Sequence, residues 1–295
     1  MRVFVTGATG FIGSEVVRQL IAAGHEVIGL VRSEENAAKL KAAGGTPHFG
    51  TIEDLDSLKS GAAHSDGVIH TAFIHDFSKY QEACNTDSRA IETIGEALKG
   101  SGRPLVTTSG TIVLPLNGKL GTEVTQVPQP SVPRHLGEMM TLKLASQGVR
   151  SSVVRLPPSV HGAGDYAFVP MLINTAKTKG VSAYIAQGTN RWPSVHRKDA
   201  ANLFILTLEK GSPGSIFHAV ADEGIPTKDI ATVIGKRLNL PIVSKSSEEA
   251  IEHFGFLSRI LSSDNPTSST LTQQRLGWKP SHPTLLADLV GDAYF

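Results

Sequence analysis

The sequence predicts an α/β fold, a doubly wound parallel sheet with a smaller, mainly helical lobe toward the C-terminus. Three observations predict it. Short β-branched runs alternate with longer helical stretches over the first half of the chain, which is the rhythm of βαβ units. The strand-like runs are apolar on both faces, as strands covered by helices on each side must be. A glycine-rich turn falls between the first strand and the first helix.

Residues 3–6 read as the first strand, 12–23 as the helix that follows, 26–31 as a second strand and 34–43 as a second helix. The alternation continues with a strand at 67–71, a long helix over about 80–98, a strand at 105–108, a helix near 135–146 and a strand at 152–156. The crossovers between parallel strands are expected to be right-handed. After Arg155 the rhythm changes: Pro157 and Pro158 stop the strand, a glycine-bearing loop follows, and 168–179 reads as a helix outside the repeat. Residues 199–209 and 215–220 supply one more helix and strand returning to the sheet, and 226–295 is largely helical with a serine-rich break at 262–270. The expected division is a Rossmann-type dinucleotide-binding domain at 1–160, rejoined by 191–221, with a substrate-binding lobe at 161–190 and 222–295.

Charge and composition narrow the partners. Lys and Arg number 28 against 27 Asp and Glu, a formal charge of +1, so no basic excess points to nucleic acid or an anionic membrane. A small-molecule substrate is expected, with room for a homodimer. Cys84 is the sole cysteine, which excludes an internal disulfide and a cysteine-rich metal site; it reads as a small helix-packing residue. The chain opens directly on a strand without a secretory pattern, and its apolar runs fall short of the roughly 18 residues a membrane helix needs, so a cytoplasmic, soluble protein is expected. There is no GxSxG elbow, HExxH or Walker loop, and the 11 histidines are not set at metal-ligand spacing with Cys or Glu, so hydrolase and metalloenzyme chemistry falls away and no metal is expected.

The segment Thr6-Gly7-Ala8-Thr9-Gly10-Phe11-Ile12-Gly13 carries the functional reading. Gly7 permits a tight turn, Gly10 lets backbone approach a pyrophosphate, and Gly13 allows close helix–sheet packing, leaving the N–H groups of the helix start aimed at phosphate. At the end of the second strand, where an NAD-preferring site places an acid on the ribose 2′-hydroxyl, the chain reads Leu30-Val31-Arg32-Ser33. A guanidinium there can clamp a 2′-phosphate, so the expected cofactor is NADP(H).

These residues resemble the short-chain dehydrogenase/reductase superfamily, in its extended branch related to nucleotide-sugar epimerases, over nearly the whole chain. TGATGFIG is similar to that branch's TGxxGxxG. Residues 66–72, with Thr71 and Ala72, resemble its fourth-strand segment beside the cofactor, and Asn85 falls where a structural asparagine precedes the long helix. Residues 155–162, with Pro158 and Val160, resemble the segment whose backbone faces the nicotinamide, and 195–201 and 276–280 resemble the closing elements. Thr51 stands where many relatives carry an aspartate near the adenine. The resemblance implies catalysis by a Ser or Thr after the fifth strand plus a Tyr and a Lys four residues apart on the next helix. Ser109 matches the first. Aligning on Glu138 puts Pro130 at the tyrosine position and Arg134 at the lysine position, and none of Tyr80, Tyr166, Tyr184 and Tyr294 has a lysine four residues on.

The chain therefore reads as an atypical member of the superfamily that keeps the cofactor loop and lacks the pair. Arg134 is expected to hold cofactor rather than relay protons. Histidine is the natural replacement acid, and His75, His135 and His161 lie in segments expected around the nicotinamide. Ser109 can still orient a carbonyl. Trp192 is a candidate pocket wall and Arg191 a candidate partner for an acidic substrate or phosphate, with interlobe packing the alternative for both. Three functions stay open: an NADP(H)-dependent oxidoreductase acting on a small carbonyl, enone or imine; a non-catalytic NADP(H) sensor or scaffold; and an epimerase or dehydratase on a nucleotide sugar.

Overall fold

A computed structural model describes residues 1–116, 118–128 and 132–295; Pro130, expected at the tyrosine position, lies outside them. The first half alternates β1 (Arg2–Thr6), α1 (Phe11–Ala22), β2 (Glu26–Val31), α2 (Glu34–Ala42), β3 (Thr46–Phe49), α3 (Leu55–Ala63), β4 (Gly67–His70), α4 (Tyr80–Leu98), β5 (Pro104–Gly110), α5 (His135–Ala145) and β6 (Arg150–Leu156). Then follow β7 (Ser159–His161), α6 (Phe168–Lys179), β8 (Ser182–Ile185), β9 (Arg191–His196), α7 (Arg197–Lys210) and β10 (Ser215–His218). The C-terminal part holds β11 (Asp222–Pro226), α8 (Thr227–Leu238), β12 (Ile242–Lys245), α9 (Ser247–Phe254), α10 (Leu257–Leu261), α11 (Thr270–Leu276) and α12 (Leu285–Val290).

The main sheet has seven parallel strands in the order β10-β6-β5-β4-β1-β2-β3. Its two faces follow from the two-residue period of a strand. On β1, Val3 and Val5 enter one apolar cluster with Val16, Val17 and Leu20 of α1 and Phe204 and Leu208 of α7. Phe4 faces the other way, into a cluster with Leu58 of α3, Ile91, Ile94 and Leu98 of α4 and Leu144 of α5. Complete burial of Phe4 removes a whole ring from water, worth roughly 1.5–3 kcal/mol. Gly61 makes this approach possible, since a Cβ there would lie 2.4 Å from the Phe4 ring.

Strand order reverses between β1 and β4, and ligands of open α/β sheets bind outside the carboxyl ends of the strands at such a reversal. A separate cluster, with Leu172, Ile173, Trp192, Ile230, Ile234, Phe254 and Leu285, forms the core of the C-terminal lobe. Strand β9 pairs in a three-stranded sheet with β11 and β7, whereas α7 and β10 join the main layer, so the return to the large sheet begins at α7 rather than at residue 191. Asn85 sits inside α4 rather than ahead of it. Among the described residues no helix is long and apolar enough to cross a membrane.

Candidate active site

At the end of β1 the chain turns at Gly7, whose φ of +69° favours glycine, and the Gly10 N–H closes the turn onto the Gly7 carbonyl at 2.9 Å. Thr9 lies in this turn. Gly13, in the first turn of α1, packs so tightly that a Cβ would lie 2.0 Å from the Gly7 carbonyl oxygen. Gly10 differs: a Cβ there meets only that oxygen, at 3.3 Å, with nothing else close. Gly10 caps α1 without a side chain, and no acid stands in the first turn, so the N–H groups at Phe11, Ile12 and Gly13 present the positive end of the helix dipole to whatever approaches. The loop after β4 lies against this turn. Thr71 Oγ1 donates to the Thr6 carbonyl at 2.7 Å and the Ala72 N–H to Thr6 Oγ1 at 3.3 Å. Across the opening, Tyr166 meets the Phe11 ring edge-on at 6.1 Å, and the Arg197 guanidinium stands 5.0 Å from that ring's centroid. Arg32 is exposed where β2 ends, followed by Ser33, which accepts from the Asn36 N–H to cap α2.

The ends of β5 and β6 form the adjoining wall, with Ser109 in register with Arg155. Ser109 Oγ is buried and has no hydrogen-bond partner among the described residues. Beside it, Thr108 is tied to its neighbours twice, its hydroxyl donating to the His70 carbonyl at 2.9 Å and its carbonyl accepting from Arg134 Nη2 at 2.7 Å. Arg134 also binds Asp87 Oδ2 through Nη1 at 2.6 Å, and its guanidinium lies 4.1 Å from the centroid of Phe73. Asp87 Oδ1 faces His70 Nε2 at 3.3 Å, and His70 Nδ1 faces Thr6 Oγ1 at 2.8 Å. A buried polar chain thus runs from the glycine turn through His70 and Asp87 to Arg134. The expectation that Arg134 grips cofactor is corrected in part: its charge is already opposed by a carboxylate that the sequence reading missed, and it links α4, α5 and β5.

The three candidate histidines separate. His161 is fully buried, its Nδ1 2.6 Å from Asp288 on α12, because Ser159 and His161 share the inner side of β7 while Val160, partly buried, takes the other with Pro158 just before the strand. That contact commits His161 Nδ1 to the C-terminal lobe, while its buried Nε2 has no partner among the described residues. His135 is also buried, 3.7 Å from Glu138, whose carboxylate is paired with Arg155, so it serves that ion pair instead of the cleft. His75 alone lies with Phe73 near Arg134, edge-on to the Phe73 ring at 5.3 Å, and burial, then the Arg134 charge, push its pKa below the ordinary histidine value. A neutral imidazole accepts protons better than it supplies them. Arg191 is likewise committed, to Asp264 at 2.7 Å and the Gly118 carbonyl at 3.0 Å, and Trp192 is buried against Phe168 in the lobe core, so the packing alternative holds for both.

A model of the NAD dependent epimerase/dehydratase family matches residues 3–219. The chain belongs to that family. It is 73% identical over 295 residues to the uncharacterized protein C2A9.02 of Schizosaccharomyces pombe, with 100% of both chains covered. It is 28% identical over 251 residues to a ketoreductase of Stigmatella aurantiaca that acts, by its name, on 4-hydroxy-2-methyl-3-oxo-4-farnesyl-3,4-dihydroquinoline-1-oxide, covering 79% of this chain and 72% of that protein. The crystal structure of DesIV, a dTDP-glucose 4,6-dehydratase from Streptomyces venezuelae with NAD and TYD bound, superposes with a TM-score of 0.78 at 20% identity over 98% of this chain and 96% of that one, a likeness of fold.

The residues present fit the family's nicotinamide dinucleotide. The side-chain-free cap of α1, the open space off Gly10 and the unpartnered Ser109 hydroxyl are what a pyrophosphate at one end and a reacting group at the other require. What departs from the family is the proton-handling pair: Arg134 just precedes α5 as its cap, bonded to Asp87. Asp87, His70, Phe73 and Tyr80 were not singled out for the site by the sequence reading. The one local signal was the aromatic spacing of Phe73, Phe77 and Tyr80 between β4 and the start of α4.

Proposed function

We propose that the protein is an NADP(H)-dependent oxidoreductase that reduces a small carbonyl, enone or imine. The observation that carries the reading is the bare N-terminus of α1 set against Thr71 and Ala72, with Ser109 buried and unpartnered on the neighbouring strand end. The backbone N–H groups at Phe11, Ile12 and Gly13 would hold the pyrophosphate, Arg32 would clamp the 2′-phosphate, and Pro158 and Val160 would border the nicotinamide. When bound, the reduced nicotinamide supplies the hydride. Ser109 donates a hydrogen bond to the acceptor's oxygen or nitrogen and so stabilises the charge that develops there. Arg134, fixed by Asp87, keeps a positive charge beside Thr108, and the product's proton is drawn from solvent. The ketoreductase relative supports carbonyl reduction, and Arg32 supports NADPH over NADH.

The test is loss of NADPH absorbance against a panel of aldehydes, ketones, enones and imines, with the Ser109→Ala variant alongside. At least one acceptor is expected to consume NADPH with an equimolar reduced product, and Ser109→Ala to slow it. Tight NADPH binding with no acceptor reduced would replace this reading with a non-catalytic NADP(H) sensor.

A further inference from the structure

Beyond the reacting end of the cleft, aromatic rings continue without a break into the C-terminal lobe. Phe73, stacked on Arg134, meets Tyr80 at 6.3 Å; Tyr80 meets Phe77 at 6.1 Å; and Phe77 lies parallel to Phe256 at 5.1 Å and near Phe168 at 6.1 Å. Phe77 and Phe256 remain 39% and 48% exposed although they stack on each other, so a flat apolar surface stays open to solvent beside the site. The arginines nearest to it are already engaged. Arg134 is held by Asp87 and Thr108, Arg191 by Asp264, and Arg197 by the Ala163 carbonyl and, at 3.6 Å, Glu15. Asp76 and Lys79, both exposed, flank the turn that carries Phe77 and offset each other's charge. Burial keeps the Tyr80 phenol protonated, raised to about 12. A nucleotide sugar would set a charged diphosphate against these ring faces, which cannot hydrogen-bond it.

We infer that the substrate is an uncharged, flat, conjugated carbonyl compound, whose rings or double bonds lie on Phe73, Phe77 and Phe256 while its carbonyl meets Ser109. The inference rests on the oxidoreductase reading above and adds the substrate class. Flat π-systems gain offset-stacked and edge contacts with such rings beyond their area burial, whereas an aliphatic ketone of few carbons gains little of either.

Calorimetric titration of the full-length protein holding saturating NADP⁺, which prevents turnover, tests it with three probes: 4-phenyl-3-buten-2-one, 2-butanone and UDP-glucose. The aromatic enone is expected to bind at least about tenfold more tightly than 2-butanone, and UDP-glucose not at all. Phe77→Ala and Phe256→Ala are each expected to weaken the enone about tenfold, close to 1.4 kcal/mol, with NADP⁺ affinity unchanged as proof of folding. The inference is overturned if UDP-glucose binds more tightly than the enone, if the two ketones bind within twofold of each other, or if both variants bind the enone like the parent. NADPH oxidation by 2-butanone with no gain from the added ring would remove the substrate class and keep the oxidoreductase. Enone binding lost in both variants, with no oxidation of NADPH by any carbonyl, would keep the ring surface as a binding site and remove the reaction.

Discussion

Two glycines of one turn answer different questions when substituted. At Gly13 an added methyl carbon would stand 2.0 Å from the Gly7 carbonyl oxygen, 2.8 Å from its carbon and 3.0 Å from Thr71 Oγ1. Carbon–oxygen contacts settle near 3.3 Å, so about 1 Å of backbone displacement is required, and no rotamer relieves it. Overpacking of this kind costs roughly 1–3 kcal/mol, or about 2–4 °C in Tm for each kcal/mol in a chain of this size class. Because the displaced atoms belong to the turn proposed to hold phosphate, NADPH affinity is expected to fall at least about 100-fold as well. At Gly10 the added carbon meets only one atom, at 3.3 Å, and otherwise enters open space. Gly10→Val is therefore expected to leave Tm within about 2 °C while abolishing NADPH binding, because its side chain takes the volume a pyrophosphate needs. Thermal unfolding followed by circular dichroism gives the first quantity and calorimetry the second. A folded Gly10→Val protein that binds NADPH normally would show that this turn is not the site. A Gly13→Ala protein as stable as its parent would refute the packing argument.

Other perturbations reach the wall and the frame of the site. Ser109→Ala removes a buried hydroxyl that no described group satisfies, so Tm is expected to hold or rise while turnover falls about 100-fold; a lower Tm with unchanged turnover would make Ser109 structural. Asp87→Asn leaves the buried Arg134 charge unopposed and is expected to cost about 3 kcal/mol in urea unfolding, whereas a loss under 1 kcal/mol would mean the pair is not buried as described. Burial, with His161 and then His282 beside it, lowers the His196 pKa to about 4, and burial with Arg155 beside it lowers that of His218 to about 3. The unfolded chain, titrating near 6.5, then binds more protons than the folded one below that pH. Stability should be flat above pH 6.5 and decline as pH falls toward 4, by about 2 kcal/mol at pH 5 from His196 alone; equal urea midpoints at pH 7 and 5 would contradict this.

The main sheet was legible because its strands are buried on both faces and its helices carry one apolar face, patterns that survive without any tertiary information. Strand β3, read as nothing in the sequence, holds Pro47 at the sheet edge and is half polar, so no apolar run marks it. Strands β7, β8 and β11 are three to five residues long and gain definition only from partners far away in sequence. The glycine turn was legible because Gly7 and Gly13 each answer a local steric demand, with Gly10 at the expected spacing between them. The fate of the histidines was not: whether His161 faces a cleft or Asp288 depends on α12, more than a hundred residues later. Arg134 shows the same limit, since its position relative to Glu138 is local whereas its partner Asp87 is set by how α4 packs on α5.

The central claim, a nicotinamide cofactor chosen by Arg32 at the end of β2, is tested most directly by titrating NADPH and NADH into the parent protein and into Arg32→Ala. The account predicts NADPH at least about tenfold tighter in the parent, a preference of over 1 kcal/mol, and near-equal affinities in the variant. Equal affinities in the parent, or NADPH binding untouched by the substitution, would contradict it.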